Sequence, residues 1–507
     1  MFRLFQSNKL RNLAIAFCKN EPEVKDPFKS STVITQSFEL RYWLQLQITE
    51  LKGISSNIDF QLPASFLWKL YKCLTPEIAD LDRSPYEREI MVWRLMRILE
   101  KGLSSNQDIA DYLDPEKKRN LRLYELSNEL ASLFDEYLMY RPDWVLAWES
   151  SKGGFVSREE EWQASMWQEL REDLRGKSKL HRAALHKLAM NKISRDAHLP
   201  WPKLSIFGIS SMPPIQIETF RRLSEFMDVD IYFLNPCHEY WGDIISEAER
   251  ARRSLKAIRN NASPVLQESY FETGQPILAS LGQLGRDYFE LLNDVENLQT
   301  FDIFSEPNQK TDLGFVKNQI FNLSYSEENV FSEKHSRETV RSDQSIQIHS
   351  CHSRTREIEV LKDQIFRALS ETEALQPKDI LVAAPDIQLY AAIIKANFKN
   401  EIPFSINSSA LKENSSFFNS VIKLLSLPDS RITGQEIIEF LEVPSIARAH
   451  AINSDDLEKL AIWINDSGIR WELDGESKSK NWDLPPDDRN TWRFGLDRLL
   501  MGVVMGV

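Results

Sequence analysis

The chain has 507 residues, 42% hydrophobic and 27% charged, with a net charge of −13. That is ordinary globular composition at a length suggesting about three domains or subdomains, and its acidic balance excludes a generic polyelectrolyte grip on nucleic acid, which draws on clustered Lys and Arg. Four scattered cysteines (18, 73, 237 and 351) without a CxxC pair indicate reduced thiols, and the longest apolar run, 499–507, falls far short of the roughly 20 residues of a membrane span.

Residues 2–5 form the first strand candidate, followed by an amphipathic helix to about Cys18. Its basic start imitates a signal peptide, but the apolar stretch is too short and no cleavage site follows, so a cytoplasmic location is expected. Residues 32–35 make a second strand, and a helix from about Glu39 stops at Gly53. The segment Asn57-Ile-Asp-Phe-Gln-Leu-Pro-Ala-Ser-Phe-Leu-Trp68 then interleaves large apolar and polar side chains in a pattern that fits neither an ordinary helix nor an ordinary strand. Leu133-Phe-Asp-Glu-Tyr-Leu-Met-Tyr-Arg-Pro-Asp-Trp144 has the same character. Such residues can stack on and hydrogen-bond unpaired bases. They equally suit a half-buried helix and turn with aromatic packing.

A helical block occupies about 64–198. Its clearest helix starts at a capping box, Ser84-Pro-Tyr-Glu87, and ends before Gly102. Apolar runs at 204–207 and 229–234 flank a helix of about 215–226 that Pro213 and Pro214 introduce. Strand, helix, strand at these spacings predicts a mostly parallel sheet. The predicted fold class is therefore α/β, with a large helical insertion. Residues 1–330 have the outline of the first motor domain of a superfamily 1 helicase. A polar, linker-rich segment covers 305–345, after which the pattern restarts. Ile346, Ile348 and Ser350 alternate as a strand, and Ile358, Leu361, Ile365 and Leu369 mark one helix face. A strand at 380–383 and a helix at 387–398 complete a second α/β unit, 346–507. It is helical again from about Ser415 and is interrupted by a charged, proline-containing loop at 472–490. The apolar, uncapped ending reads as a second motor-type domain cut inside a helix.

The chemistry is defined by absences. A helicase motor needs a glycine-rich turn after its first strand, where backbone N–H groups and a lysine hold phosphates. Here that turn is Phe5-Gln-Ser-Asn-Lys-Leu10, without glycine, and Lys9 reads as a solvated lysine. The strand Asp228-Val-Asp-Ile-Tyr-Phe-Leu-Asn235 does not end in paired acids for magnesium. Glu23-Val-Lys25 and Glu476-Ser-Lys478 imitate half of a metal-dependent nuclease site without its upstream strand and aspartate. His349, Cys351 and His352 are close in sequence, but strand alternation would put His352 on the opposite face, against a zinc site. Gly208-Ile-Ser-Ser211 lacks the second glycine of a nucleophile elbow. No catalytic residue and no metal site is expected.

The two aromatic-polar segments resemble those of the RecC family, the gamma subunit of exodeoxyribonuclease V. So do Gln36-Ser37 with Trp43-Leu44, Phe207-Gly-Ile-Ser210, Asn235-Pro-Cys237 with Tyr240-Trp-Gly-Asp243, and Leu284-Gly-Arg-Asp-Tyr288. His349-Ser-Cys-His-Ser353, Leu424-Leu-Ser-Leu-Pro-Asp-Ser-Arg431, Ser467-Gly-Ile-Arg-Trp471 and Thr491-Trp-Arg-Phe-Gly-Leu496 continue the match in family order. The resemblance covers about the first half of a typical member. It implies a helicase-shaped fold that has lost its ATP site and binds no cofactor, with ATP and Mg2+ used by RecB-like and RecD-like partner subunits. It also implies a tunnel for the 3′-ended single strand at double-stranded DNA ends, with a pocket that scans for the recombination hotspot Chi. By motif, the pocket positions are Gln36, Phe38, Tyr42, Leu62, Trp68, Ser132, Leu133, Asp135, Arg141 and Arg182.

In these roles Trp68 would stack on a base, Asp135 would accept from exocyclic amines, and the two arginines would donate to guanine edges or phosphates. As structural residues, Leu62 and Leu133 are core, and Asp135 and Arg141 form a mutual or nearby ion pair. The family pattern has threonine, glutamine and aspartate where this chain has Phe38, Tyr42 and Ser132, so a different or shorter hotspot, or a weak response to Chi, is expected. Two functions remain: a noncatalytic DNA-handling subunit of a repair and recombination helicase–nuclease, or an inactivated helicase acting only as a protein scaffold.

Overall fold

The structure, a computed structural model, describes residues 1–21, 30–101, 107–113, 119–150, 158–174, 180–194, 199–252, 274–324, 343–399, 401–406 and 416–506. The chain divides into two compact units, Met1–Ile346 and Gln347–Val507.

The first unit is built on a six-stranded sheet, β1 (Phe2–Ser7), β2 (Ser31–Thr35), β3 (Ile58–Gln61), β4 (Lys203–Phe207), β5 (Asp228–Leu234) and β6 (Gln299–Asp302). The order is β3-β2-β4-β5-β1-β6, and every pairing is parallel. Period-two alternation sorts the central strands onto two cores. Phe2, Leu4, Ile34, Leu204, Ile206, Val229, Ile231 and Phe233 enter one core. Phe5, Val33, Phe207 and Tyr232 enter the other, beneath helices α1 (Leu10–Asn20) and α2 (Phe38–Lys52). Helix α2 ends as its sequence indicates, at Gly53 with φ +82°. At Gly208 φ is +64°, a backbone conformation that favours glycine, and an added Cβ would lie 2.7 Å from Leu40 Cδ2, so that leucine side chain would have to shift.

Asp230, 0% exposed in the central strand β5, accepts from Arg3 Nε at 2.6 Å and lies 2.9 Å from Lys203 Nζ. All three charges therefore sit at the amino-terminal end of the sheet, away from the edge where its strands finish.

Between β3 and β4 runs the helical insertion: α3 (Pro63–Leu74), α4 (Arg88–Lys101), α5 (Gln107–Leu113), α6 (Arg119–Tyr140), α7 (Pro142–Glu149), α8 (Arg158–Leu174) and α9 (Arg182–Lys192). It has its own core, with Trp167 and Phe134 fully buried. After β4 comes α10 (Pro214–Ser224), which begins at the second proline of its pair.

Several expectations are corrected. The segment 57–68 is strand β3 followed directly by the first half of α3, and the edge strand β6 was not anticipated. Helix α4 starts at Arg88 rather than at the predicted capping box. Ser84 Oγ accepts from Tyr86 N at 3.2 Å in a turn, because Tyr86 is buried against Trp167 and His181. Within the linker-rich segment, Thr311 caps a helix, Asp312–Phe321; residues 325–342 lie outside the described residues. In the second unit neither 346–350 nor 380–383 forms a strand. Ile348 is 93% and Leu381 91% exposed. Apolar alternation makes a strand only where a neighbouring strand takes its backbone hydrogen bonds, and among the described residues neither segment is paired in a sheet.

The second unit is helical among its described residues. Helices Arg354–Glu371 and Gln388–Phe398 pack through Ile358, Ile365, Ile394 and Phe398. Five further helices follow from Gly434 onward, two of them opened by capping boxes at Thr433 and Asn453. The predicted loop at 472–490 contains the helix Gly475–Trp482, capped by Asp474. Among the described residues no helix is long and apolar enough to cross a membrane.

Candidate nucleic-acid interface

A parallel sheet gathers all its strand carboxyl ends on one edge, and open α/β sheets bind ligands beyond that edge. Gln36 follows β2 there. Its Oε1 accepts from Ser210 N at 3.3 Å and Ser210 Oγ at 3.1 Å, tying the turn after β2 to the turn after β4. Leu62 follows β3, half-buried, with extended backbone (φ −80°, ψ 150°) and its carbonyl accepting from Phe66 N. Pro63 explains this geometry: it excludes helical backbone at the preceding residue and suits the first position of α3.

Phe38 and Tyr42 lie one turn apart on α2 and are 67% and 65% exposed. They form an aromatic stripe that Leu46 extends.

Trp68, Asp135 and Arg182 are brought together from three helices. Arg182 Nη1 lies 3.5 Å from Asp135 Oδ1 and 4.0 Å from Met139 Sδ. Trp68 and Arg182 line a cavity of about 250 Å³ together with Ala64, Leu67, Tyr71, Ser84, Glu87, Met139 and Gln216. Ser132, Asp135 and Met139 share one face of α6 by helical spacing, whereas Leu133 lies about 100° around it. Both Ser132 and Leu133 are half-buried.

Arg141 is not among the residues that line this cavity. It is the residue between α6 and α7, with its guanidinium carbon 3.7 Å from the Trp144 ring centroid and Nε 3.6 Å from Asp143. The ion pairs are thus Asp135 with Arg182 and Arg141 with Asp143, not Asp135 with Arg141.

Beneath the cavity, Tyr71 Oη lies 3.5 Å from His186 Nδ1, and His186 Nε2 is 3.4 Å from Glu218. Burial pushes the Tyr71 phenol up. Burial also lowers the His186 imidazole, against the opposing pull of Glu218. Both shifts favour an uncharged floor at neutral pH. The sequence reading missed Glu87, Met139 and Gln216. Glu87 was read as a helix cap, and Gln216 carried no local signal beyond following Pro213-Pro214.

The nuclease imitation at Glu476 and Lys478 is structural: Lys478 Nζ donates to the carbonyls of Asp487 and Arg489. The other one, Glu23-Val-Lys25, lies outside the described residues. Among the described residues no group of three or more His, Cys, Asp and Glu is placed to hold a metal ion.

Fold and site together define an α/β protein with a large helical insertion and an aromatic, arginine-bearing cavity next to the carboxyl edge of its sheet. Residues 2–323 match the family model described as RecC, N-terminal domain, and residues 414–507 match the RecBCD enzyme subunit RecC fourth domain. The chain belongs to the RecC family. It is similar over its whole length to the RecBCD enzyme subunit RecC of Escherichia coli (33% identical, 48% of that protein covered) and of Haemophilus influenzae (30%, 49% covered). Over 95% of its length it is similar to the same subunit of Mycolicibacterium smegmatis (26% identical, 43% covered). It spans about half the length of the curated relatives it matches.

Proposed function

We propose that this chain is a noncatalytic, DNA-handling component of a RecBCD-type helicase–nuclease acting in double-strand break repair and homologous recombination. It works in the cytoplasm with RecB-like and RecD-like subunits, which use ATP and Mg2+, while it guides the 3′-ended single strand from a DNA end past a hotspot-reading pocket. The observation that carries this reading is the gathering of Trp68, Asp135 and Arg182 beside the carboxyl edge of the sheet, an aromatic surface with a cation and an acceptor.

In this reading the sheet is that of a helicase motor whose nucleotide pocket is lost. Only Asn8 and Lys9 separate β1 from α1. Ser7 Oγ accepts from Lys9 N, and Asn8 and Asn12 are bonded to Ser305. That the turn is short and held by its own side chains supports the reading that no phosphate loop forms after β1. The aromatic stripe of Phe38 and Tyr42 offers ring faces in place of hydroxyl and amide groups. The assembled complex is accordingly expected to respond weakly to Chi, and full Chi-dependent attenuation of degradation would overturn that preference while leaving the tunnel intact.

The test is crosslinking of photoreactive single-stranded DNA to the assembled complex. Adducts at Trp68, Leu62 or Arg182 are expected. Efficient crosslinking to this chain confined to residues outside the first unit overturns the proposal.

A further inference from the structure

The first unit ends at Ile346 and the second begins at Gln347. Just before that junction the chain returns to the helix Asp312–Phe321. The first N–H groups of a helix have no partner within it, and here each of the first three finds a side chain. Asp312 N donates to Asp343 Oδ2, Leu313 N to Ser345 Oγ at 3.1 Å, and Gly314 N to Thr311 Oγ1 at 3.1 Å. Only the last acceptor is local. The other two come from 31 and 32 positions further along the chain. They are also tied to each other, since Ser345 N donates to Asp343 Oδ1 and Ser345 Oγ to Asp343 Oδ2, both at 2.9 Å. A carboxylate is favoured at the positive end of a helix, and the N–H groups of Asp312 and Ser345 hold the Asp343 carboxyl below the usual carboxylate range.

The helix is a firm post for this fastening. Its last residue, Phe321, is 5% exposed and stacks on the His238 ring at a centroid distance of 4.5 Å. The Phe321 carbonyl accepts from His238 N at 3.1 Å and Cys237 Sγ at 3.3 Å, so the turn after β5 fixes the far end. On the other side of the junction, Gln347 Oε1 accepts from Arg367 Nη2 at 2.9 Å, in the helix Arg354–Glu371. Ile346 therefore separates a residue held on the first unit from a residue held on the second.

We infer that Asp343 and Ser345 form a releasable clasp that sets the length of the connection between the two units. Closed, it leaves two Cα–Cα steps, from Ser345 to Gln347, which span about 7 Å at most. Released, the connection runs from Ser324 to Gln347, and a chain of that length reaches at most about 80 Å. Release is within reach because the clasp consists of a few bonds made by half-buried side chains. The neighbouring Leu313 and Ile346 are exposed, so water competes for each bond. The inference concerns movement of the units and does not depend on the strand-guiding reading.

The experiment follows the full chain in two ways. Hydrogen exchange reads the clasp, and the distance distribution between probes at Glu129 and Lys395 reads the connection. Both positions are exposed, one on α6 and one on the helix Gln388–Phe398 of the second unit. The probes are carried on noncanonical side chains, which leaves the four cysteines unlabelled. In Asp343→Ala the Asp312 and Leu313 amides should exchange about 5- to 30-fold faster, the factor set by losing a cap of ordinary strength, and the distance distribution should broaden. Gly314, capped by Thr311, should change less. Ser345→Ala should act in the same direction, and Asp343→Asn, which keeps an acceptor oxygen, should restore most of the protection. Unchanged exchange at Asp312 and Leu313 overturns the inference. Faster exchange with an unaltered distance distribution overturns it too, because the pair would then be a helix cap and nothing more.

Discussion

Asp230→Ala is expected to destabilise the first unit by about 3–5 kcal/mol, the usual cost of removing one partner from a buried ion pair. The carboxylate is fully buried, with Arg3 on one neighbouring strand and Lys203 on the other. Arg3 and Lys203 are themselves only 20% and 12% exposed, and deletion leaves them with more distant carboxylates, Asp228 at 3.6 Å from Arg3 and Glu21 at 3.8 Å from Lys203, besides the Asn20 carbonyl that Lys203 already reaches. Replacing Arg3, Lys203 and Asp230 together with Glu21, which lies 3.8 Å from Lys203, by apolar residues of similar volume should recover most of the loss, because the cluster as a whole repays little more than its desolvation. The measurement is the urea dependence of hydrogen exchange at the β1, β4 and β5 amides. A loss below about 1 kcal/mol for the single variant would mean that water already reaches the cluster.

Trp68→Ala should weaken single-strand binding by roughly 5- to 150-fold, since stacking of a base on an aromatic ring is worth about 1–3 kcal/mol. Trp68 packs only partly against the sheet core, and Trp68→Phe keeps a ring, so the phenylalanine variant should retain most of the affinity. Adding Arg141→Ala should lower affinity only slightly further, because that guanidinium already lies over Trp144 and beside Asp143. The comparison is titration of a fluorescent single-stranded oligonucleotide into the assembled complex at fixed salt. Unchanged affinity in the double variant would favour the alternative of a scaffold that binds only proteins.

What the sequence determined by itself is local. Strands β1, β2, β4 and β5 were legible because their apolar runs, flanking helices and stops depend on neighbours in the chain: Gly53 ends α2, and the Pro213-Pro214 pair opens α10. The motifs that place the chain in its family were legible for the same reason. The tertiary structure alone decided how distant side chains meet. Asp135 pairs with Arg182, 47 positions away, rather than with nearby Arg141. Glu87 and Gln216 face one cavity from the 84–87 turn and from α10, and no periodicity couples them. The same reason separates the strands that formed from those that did not. A helix closes its hydrogen bonds within its own segment, whereas a strand exists only through a partner strand: β3 found β2, β6 found β1, and the alternating residues at 346–350 join no sheet among the described residues.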